Sequence, residues 1–411
     1  MKDCFKFLKN RGFFQQTTNE EALSKKLNNE NVTFYIGYDP TNTSLHLGHL
    51  VPIMASSFLQ KMGHRPIALM GGGTAMIGDP SGRTSSRPIL TIDEIDSNSL
   101  LIKKQLEHFV VLDGDKGLFI NNASWLRNIN YVDFLRDIGK HFSVNRMLSF
   151  ETYKEKYKNH GLSFLEFNYI LLQSYDFLML YKNYNCTLQI GGDDQWANMI
   201  SGVELIRRVT GDLDAAECLT LPLILTSDGK KMGKTQNGAI FLSKDVTNVY
   251  DFYQYWINVT DNDVIRFLKL YTFIDDNEIE RLSTLKGEEL IEAKKILAFE
   301  VTKIVHSEKD AIESRESSLA AFGSTSNIEL IPKFSIQKNR IESGISVLDI
   351  FVESGLVESK SEVRRLIKQN GIKVNEEKVT DENLTIDSSF ILEGGIIIRS
   401  GKKKVKRIEI M

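Results

Sequence analysis

Two histidines beside a predicted helix start are the first residues in this sequence whose types and spacing could do chemistry. His46 and His49 are three residues apart and flank Gly48, near which a helix is expected to begin. At this spacing both imidazoles face the same direction, and the N–H groups and dipole of a helix N-terminus favour a phosphate group. Gly48 would also let an adenine or a ribose lie flat on the backbone. The pattern indicates a nucleotide site, although half of a metal site or satisfied polar residues at a helix start would use the same histidines.

A polar loop over residues 226–238, with three lysines and three glycines, supplies a second signal. Lys231, Lys234 and Thr235 belong to it. Such a loop can close on a polyphosphate once its cations have an anion to pair with. A lysine-rich loop is usually a solvated charge run, but its position downstream of the histidine pair favours the polyphosphate interpretation.

Alternating strands and helices must position these residues. Short apolar runs at 32–36, 66–70 and 187–190 each lead into a glycine turn and then into a helical stretch. This alternation predicts βαβ units and a parallel sheet, with the ligand site at the carboxyl ends of the strands. The α/β pattern holds to about residue 220.

Two further regions follow. The region 245–322 contains no proline and has apolar residues at helical spacing, which predicts a small helical domain. Residues 345–411 include 12 basic and 11 acidic residues, so any nucleic-acid binding must come from how the charges are arranged. Lys360, Arg364 and Lys368 recur every four residues on one predicted helix and would offer several cations on one side.

Length and composition exclude several classes of protein. The chain has 411 residues, a formal net charge of −3 and 42% hydrophobic residues, which fits a globular protein of roughly two to three domains. Its three cysteines form no CxxC pair and cannot build a disulfide framework or a cysteine zinc site. No apolar run approaches the ~20 residues that span a bilayer, and the first residues are too charged for a signal peptide. We expect a cytoplasmic enzyme without a membrane segment.

The motifs taken together resemble a known enzyme family. Residues 46–49 (HLGH) and 231–235 (KMGKT) resemble the HIGH and KMSKS signatures of class I aminoacyl-tRNA synthetases, in the same order. Residues 169–176 (YILLQSYD) and 189–196 (QIGGDDQW) are similar to stretches of the bacterial tyrosyl-tRNA synthetases in particular. The resemblance covers nearly the whole chain. It implies ATP-dependent attachment of L-tyrosine to tRNA(Tyr) through a tyrosyl-adenylate, with release of AMP and pyrophosphate.

The resemblance also implies an architecture and partners. The expected regions are a Rossmann-type parallel-sheet catalytic domain at 1–220, the KMSKS-like loop and connection at 221–244, a helical anticodon-binding domain at 245–322, a linker at 323–344, and a small α+β RNA-binding module at 345–411. The expected partners are tRNA(Tyr), L-tyrosine, ATP and a second copy of the chain. Residues 125–147 are a candidate contact region for that copy, although core packing explains this stretch equally well. Magnesium would arrive with ATP as substrate, with no protein-bound metal or organic cofactor.

Residue roles follow from the resemblance. The groups expected at the phosphates and the leaving pyrophosphate are His46, His49, Lys231, Lys234, Thr235, Arg83 and Arg87. The groups expected around tyrosine are Tyr35 and Asp176 at the phenolic hydroxyl, Asp39, Asp79, Tyr169 and Gln173 at the ammonium, and Gln195 at the carboxylate. The groups expected around ATP are Gly37, Gly48, Gly192, Asp194 and Lys234, with Gly192 and Asp194 at the ribose. Asp193 departs from the family pattern by adding a second carboxylate beside this site. Tyr169, Gln173 and Asp176 are four and three residues apart and would share one helical face.

Three alternatives remain open from the sequence. The substrate could be tryptophan, against which the Tyr35 and Asp176 pair argues. The nucleotide core could belong to a small nucleotidyltransferase with a His-x-Gly-His motif, although such an enzyme needs neither 245–322 nor 345–411. The chain could also be an RNA-binding protein with an idle active site, against which the retained histidines and lysines argue. The departures from the family motifs are small: Leu47 replaces isoleucine, and Gly233 and Thr235 replace serines, while Pro52 falls inside the predicted helix.

Overall fold

The protein is described by a computed structural model that covers residues 3–81, 90–159, 161–225, 234–235, 238–322, 331–375, 377–392, 395–401 and 404–411. By its internal contacts the chain divides into two compact units. The first comprises Met1–Thr247 and Val259–Ala293, and the second comprises Asn248–Asn258 and Lys294–Met411. Each unit is described by itself.

A six-stranded sheet forms the centre of the first unit, in the order β1-β6-β5-β2-β3-β4. Its strands are β1 (Gln16–Thr17), β2 (Thr33–Tyr38), β3 (Arg65–Met70), β4 (Leu118–Asn121), β5 (Cys186–Gly192) and β6 (Glu217–Leu221). All neighbouring strands are parallel except β1, which pairs antiparallel with β6 at one edge. The three predicted strands therefore exist as β2, β3 and β5. They read as nearly continuous apolar runs because strands of a parallel sheet are buried on both faces.

Helices cover this sheet and follow its strands. Those of the first unit are α1 (Cys4–Arg11), α2 (Glu20–Asn29), α3 (Leu47–Lys61), α4 (Ile92–Glu107), α5 (Ala123–Leu126), α6 (Tyr131–Asp137), α7 (Val144–Ser149), α8 (Glu151–Asn159), α9 (Phe164–Tyr184), α10 (Trp196–Thr210), α12 (Val264–Tyr271) and α13 (Asp276–Ser283). The start of α9 is fixed by a capping box, in which Ser163 and Glu166 satisfy each other's backbone N–H groups. Side chains of α9 and α10, including Phe177, Ile170 and Met199, pack with the sheet residues in one hydrophobic core.

The second unit combines helices with a second sheet. Its helices are α11 (Val249–Ile257), most of α14 (Leu290–Val305), α15 (Glu308–Phe322), α16 (Lys338–Glu342), α17 (Val347–Glu353) and α18 (Lys360–Lys368). Its strands are β9 (Lys333–Ile336), β10 (Ile345–Ser346), β11 (Ile372–Val374), β12 (Glu377–Lys378), β13 (Thr385–Ile386), β14 (Ile396–Ser400) and β15 (Lys404–Ile410). Five of the strands form one sheet in the order β12-β11-β14-β15-β9, and β10 pairs with β13.

The α/β fold class with a parallel sheet is confirmed, and so is the mixed α+β character of the C-terminal region. The long helix expected around residues 290–304 is α14. The proposed domain bounds stay predictions; the compact units group 259–293 with the sheet-containing first unit. Among the described residues, no helix is both long enough and apolar enough to cross a membrane.

Candidate active site

The two histidines lie at the N-terminus of α3, where His46 is the N-cap. The Nδ1 atom of His46 accepts from the N–H of Gly48 at 3.0 Å, and Nδ1 of His49 accepts from the N–H of His46 at 3.2 Å. A neutral imidazole whose Nδ1 accepts carries its proton on Nε2. The ring centroids are 4.0 Å apart, and a Cβ at position 48 would lie 2.8 Å from His46 Cε1. Glycine is therefore required between two rings that each bear a donor suited to an anion.

The segment that follows the lysine loop pairs directly with the histidine segment. The N–H of Leu47 donates to the carbonyl of Ile240 at 3.0 Å, and the N–H of Leu242 donates to the carbonyl of Leu45 at 2.8 Å. These bonds flank an antiparallel bridge at His46. The exit of the loop is therefore fixed beside the histidine pair, although almost 200 residues separate the two segments in the sequence.

The structure describes only some of the cationic groups predicted to contact the phosphates. Lys234–Thr235 forms the short strand β7, which pairs antiparallel with β8 (Gly238–Ala239) just before the bridge segment. Lys231, Arg83 and Arg87 lie outside the described residues. The role of these groups stays a prediction.

Asp39 follows β2 and is held by hydroxyl groups from two other elements. The Tyr169 hydroxyl on α9 donates to Asp39 Oδ2 at 2.9 Å, and the Thr74 hydroxyl donates to Oδ1 at 2.7 Å. A Cβ at Gly71 would lie 2.0 Å from Asp39 Oδ1. The chain therefore needs glycine at position 71 for this carboxylate to sit at the end of the sheet.

Asp176 on α9 is a buried carboxylate, 2% exposed. The side chain amide of Asn122 donates to Oδ2 at 2.8 Å, and Nε1 of Trp125 donates to Oδ1 at 2.7 Å. The pKa of Asp176 is raised from 3.8 to about 7. Burial is the main cause, and the nearby Asp39 charge adds to it, while the two hydrogen bonds act in the opposite direction. A carboxylate in this setting changes its charge near neutral pH.

Two buried polar atoms lie on neighbouring strands of the sheet, and one of them, the Tyr35 hydroxyl, is near Asp176. Tyr35 on β2 and Gln189 on β5 are paired in register, and they are 1% and 3% exposed. Neither the Tyr35 hydroxyl nor Gln189 Oε1 has a hydrogen-bond partner among the described residues. Burial and the nearby Asp176 charge hold the pKa of Tyr35 well above its ordinary value, so its hydroxyl is neutral. Buried polar groups usually find partners, which makes this pair suited to a bound polar group.

Asn122 connects the two carboxylates. Its Nδ2 donates to Thr74 Oγ1 at 3.1 Å as well as to Asp176, and its Oδ1 accepts from the N–H of Gly73 at 2.7 Å. Because Thr74 in turn donates to Asp39, one unbroken run of hydrogen bonds joins Asp39 to Asp176. The phenol-side and ammonium-side residues predicted from the sequence therefore belong to one network.

Gln195 and Asp79 meet on the other side of the site. Gln195 Nε2 donates to Asp79 Oδ2 at 2.7 Å, and Gln195 Oε1 accepts from Asn198 Nδ2 at 3.1 Å. The second oxygen of Asp79 accepts from the N–H of Ser81 at 2.9 Å. Both residues are half-buried, so the structure brings the predicted carboxylate-side residue and one predicted ammonium-side residue into direct contact.

The residues predicted for the nucleotide ribose lie where β5 ends. A Cβ at Gly192 would lie 2.6 Å from Asp194 Oδ1, which explains a glycine there. Gly37, at the end of β2, is exposed, and a Cβ there would contact nothing within 4 Å. Gln173 is half-buried on α9, on the same helix as Tyr169.

Asp193 precedes Asp194 and contacts side chains at the edge of the sheet. Its Oδ1 accepts from Gln16 Nε2 and from Thr220 Oγ1, both at 2.8 Å. The carboxylate is therefore used to hold the short edge strand β1 against β6.

Sequence reasoning missed three residues of the polar network, Thr74, Asn122 and Trp125, and also the buried Gln189 in β5. Thr74 and Asn122 follow β3 and β4 closely, and the rule that ligand groups follow parallel strands could have suggested them. Gln189 is a polar residue inside an apolar strand, which is a second usable signal. Trp125 belongs to the region expected at a dimer contact, yet its indole nitrogen is bound to Asp176.

Metal-ligating side chains do not cluster in the part of the chain that the structure describes. No group of three or more His, Cys, Asp or Glu residues there could hold a metal ion.

Two family descriptions together match most of the chain. The description "tRNA synthetases class I (W and Y)" matches residues 27–323, and "Tyrosine--tRNA ligase SYY-like C-terminal domain" matches residues 326–408. The chain is 49% identical to the tyrosine--tRNA ligase of Clostridium tetani, over 99% of each chain. It is 49% identical to that of Fusobacterium nucleatum, over 99% of this chain and 98% of the relative.

Solved structures show the same fold. A C-terminally truncated mitochondrial tyrosyl-tRNA synthetase from Aspergillus nidulans superposes with a TM-score of 0.69 at 27% identity, over 77% of this chain and 93% of that one. A tryptophanyl-tRNA synthetase from Encephalitozoon cuniculi has a TM-score of 0.55 at 14% identity, over 75% of this chain and 87% of that one. At that identity the second likeness concerns the fold alone.

Proposed function

The chain belongs to the tyrosine--tRNA ligases, class I aminoacyl-tRNA synthetases that use ATP to charge tRNA with tyrosine, and from this premise we propose how its residues divide the work. The observation that carries the assignment is the buried Asp176 carboxylate, held by two donors beside the Tyr35 hydroxyl.

The phenol end of tyrosine binds at Tyr35 and Asp176, with Gln189 as a further polar neighbour. A phenolic hydroxyl can donate to the Asp176 carboxylate and accept from Tyr35, which gives the buried Tyr35 hydroxyl a partner. Phenylalanine leaves these groups without partners, and buried polar groups without partners are costly. Tryptophan offers an N–H donor and no acceptor, so it satisfies the site less completely than tyrosine.

The amino-acid end binds on the other side of the network. Asp39, Asp79, Tyr169 and Gln173 surround the ammonium, and Gln195 contacts the carboxylate. Support comes from the two carboxylates in this group, because hydroxyl and amide donors fix their positions and carboxylates form strong hydrogen bonds with ammonium groups.

ATP binds between the histidine segment and the end of β5. His46 and His49 contact phosphate oxygens through Nε2–H, while Gly37 and Gly48 leave room for the nucleotide and Gly192 and Asp194 hold the ribose. Lys231, Lys234, Thr235, Arg83 and Arg87 complete the set at the pyrophosphate, and Mg²⁺ enters with ATP. The pairing of 45–47 with 240–242 supports this arrangement, since it brings the base of the lysine loop to the histidines.

The chemistry needs positioning more than it needs a catalytic base. The tyrosine carboxylate is ionised at neutral pH, so one of its oxygens attacks the α-phosphorus of ATP directly. The bond from α-phosphorus to the bridging oxygen breaks, and pyrophosphate leaves with its Mg²⁺. A ribose hydroxyl at the tRNA end then attacks the carbonyl carbon of the adenylate. The bond from this carbon to the phosphate oxygen breaks, AMP leaves, and the hydroxyl proton passes to the AMP phosphate or to water. The protein contributes orientation and stabilisation of the charge on the phosphates.

Charging of tRNA(Tyr) also involves the C-terminal module. The cations that the sequence predicts for this module lie on α18. There Lys360 Nζ is 2.5 Å from Asp349 Oδ1, and Arg364 Nε is 3.6 Å from Glu382 Oε2. RNA phosphates would have to compete with these exposed ion pairs, which are individually weak. Removal of 345–411 should spare adenylate formation and weaken tRNA charging.

A homodimer fits the exposed apolar side chains of the first unit. On α6 these are Tyr131, Val132 and Leu135, and at the start of α9 they are Phe164 and Leu165. The α6 residues fall within the region 125–147 that the sequence selects. The cytoplasmic location stays a prediction.

Amino-acid-dependent exchange of labelled pyrophosphate into ATP tests the assignment. Tyrosine should drive exchange, whereas tryptophan and phenylalanine should not at equal concentration. His49→Ala should slow adenylate formation with little change in tyrosine affinity. Faster exchange with tryptophan, or lost tyrosine affinity with normal turnover in His49→Ala, would contradict the proposal.

A further inference from the structure

Two side chains of α8, those of Tyr153 and Lys156, are buried in the protein, whereas the remaining charged residues of this helix are exposed. The Lys156 side chain is 6% exposed, and its Nζ lies 2.6 Å from Glu166 Oε1. Tyr153 is 1% exposed, and its hydroxyl donates to Asn198 Oδ1 at 3.0 Å. Lys154 and Tyr157 on the same helix are exposed. The buried pair of α8 residues therefore contacts two different helices, α9 and α10.

Lys156 fixes the first turn of α9. Its partner Glu166 also accepts from the hydroxyl and the N–H of Ser163, at 3.0 Å and 3.2 Å. Two buried charges lose their hydration, so the pair persists only in good geometry. Tyr169 comes three residues after Glu166, almost one helical turn further on, and its hydroxyl donates to Asp39. The ion pair therefore anchors the helical turn of α9 that leads to Tyr169.

Tyr153 anchors one end of an amide relay. Since Asn198 Oδ1 accepts from Tyr153, Nδ2 of Asn198 must face Gln195, whose Oε1 accepts from it at 3.1 Å. Gln195 Oε1 is thus turned inward, and Gln195 Nε2 is presented to Asp79 at 2.7 Å. An amide has distinct donor and acceptor ends. The Asp79 carboxylate, which only accepts, and the buried Tyr153 hydroxyl lie at the two ends of this relay and hold Gln195 and Asn198 between them.

We propose that α8 positions the residues that read the amino-acid end of tyrosine, with Lys156 acting through Glu166 on Tyr169 and Tyr153 acting through Asn198 on Gln195. The inference rests on the proposed function, in which Tyr169 contacts the ammonium and Gln195 the carboxylate. Neither of the α8 residues contacts substrate. They are positioning residues, and each serves one of the two charged groups of the amino acid.

Two tyrosine analogues separate these effects in a tRNA-free pyrophosphate exchange assay. Tyramine lacks the carboxylate, and 3-(4-hydroxyphenyl)propionate lacks the amine; each is used as an inhibitor competing with tyrosine. Lys156→Met should raise the inhibition constant of tyramine about tenfold relative to that of the propionate, as expected for weakening a hydrogen bond to a charged group. Tyr153→Phe should shift the same ratio in the opposite direction, by about threefold to tenfold. The KM for tyrosine should rise in both variants while kcat is largely kept.

Matched controls are available on the same helix. Lys154→Met and Tyr157→Phe make the same chemical changes on the exposed face and should leave the ratio unchanged. Because Lys156→Met leaves Glu166 buried without its cation and could prevent folding, Tyr153→Phe, which removes a single oxygen atom, serves as the second variant. Equal weakening of both analogues in the α8 variants would show a purely structural role and overturn the proposal.

Tyr169→Phe distinguishes failure of this inference from failure of the proposed function. Tyr169→Phe should raise the inhibition constant of tyramine relative to that of the propionate, as Lys156→Met does. Adding Lys156→Met to Tyr169→Phe should raise this ratio no further. If Tyr169→Phe raises the ratio and Lys156→Met does not, the role of α8 is refuted and the site assignment stands. If Tyr169→Phe leaves the ratio unchanged, the ammonium assignment is wrong and the route from Lys156 through Tyr169 falls with it.

Discussion

The buried Asp176 carboxylate should make tyrosine binding depend on pH near neutrality. Its pKa is about 7 in the free protein, because burial outweighs the hydrogen bonds from Asn122 and Trp125. A phenolic hydroxyl that donates to Asp176 favours the ionised carboxylate and lowers this pKa. Tyrosine binding therefore releases a proton below neutral pH, and the affinity should rise with pH until Asp176 is ionised in the free protein.

The magnitude follows from the pKa. Below the pKa of Asp176, the dissociation constant of tyrosine should fall by up to about tenfold for each unit by which the pH rises. Above this pKa, the dissociation constant should no longer change with pH. From about pH 6 to about pH 8 the expected total is about tenfold, or about 1.4 kcal/mol. Calorimetric titration of the protein with tyrosine, without ATP, measures it. Asp176→Asn should remove the dependence, and phenylalanine, which has no hydroxyl, should show no gain in affinity. A tyrosine affinity that stays flat across this range would refute the reasoning.

The same carboxylate should affect the stability of the free protein with the opposite trend in pH. Its folded pKa lies above the ordinary 3.8, so its contribution is fully present below about pH 4 and is lost as the pH rises through about 7. A shift of about three pKa units corresponds to about 4 kcal/mol. Urea denaturation of the protein and of Asp176→Asn at several pH values isolates this contribution, because all other titrating groups are shared. Parallel pH profiles for the two proteins would contradict it.

Three further predictions concern single side chains. Tyr35→Phe removes a buried hydroxyl without a partner among the described residues, so the free energy of unfolding should rise by about 1 kcal/mol. In the exchange assay the preference for tyrosine over phenylalanine should fall about threefold to tenfold. An unchanged preference would exclude the hydroxyl from recognition. Gly71→Ala places a Cβ 2.0 Å from Asp39 Oδ1 and should raise the KM for tyrosine at least about tenfold, whereas Gly139→Ala, whose Cβ would meet only ordinary contacts from 3.5 Å, should not. Val132→Asp changes a side chain that is 71% exposed on α6 and should convert dimers to monomers in analytical ultracentrifugation; an unaltered mass would place the interface elsewhere.

The catalytic sheet could be predicted because its central strands are short apolar runs that end in glycine turns. The runs at 32–36, 66–70 and 187–190 overlap β2, β3 and β5, whose bounds differ by one or two residues. The edge strand β1 is only Gln16–Thr17, too short for any periodicity. It exists because side chains from distant segments hold it against β6, which no local pattern reveals.

The site was predictable where a residue type carries chemistry in a recognisable local motif. Asp39, Tyr169 and Asp176 were found in this way, and the structure places them in one network. Thr74 and Asn122 were not found, because a threonine or asparagine after a strand has many ordinary explanations in turns. Their roles depend on hydrogen bonds to residues between 35 and 54 positions away in sequence, and only the fold establishes these.

The network that joins Asp39 to Asp176 makes recognition of the two ends of tyrosine mutually reinforcing. The Thr74 hydroxyl has one proton, which goes to Asp39, while both protons of the Asn122 amide are used, on Thr74 and Asp176. No member can rotate without losing a buried hydrogen bond, so both carboxylates are held in place before the substrate arrives. The Asp39 charge also raises the pKa of Asp176. An ammonium bound at Asp39 offsets that charge and favours ionised Asp176, which strengthens the acceptor for the phenolic hydroxyl at the far end of the same ligand.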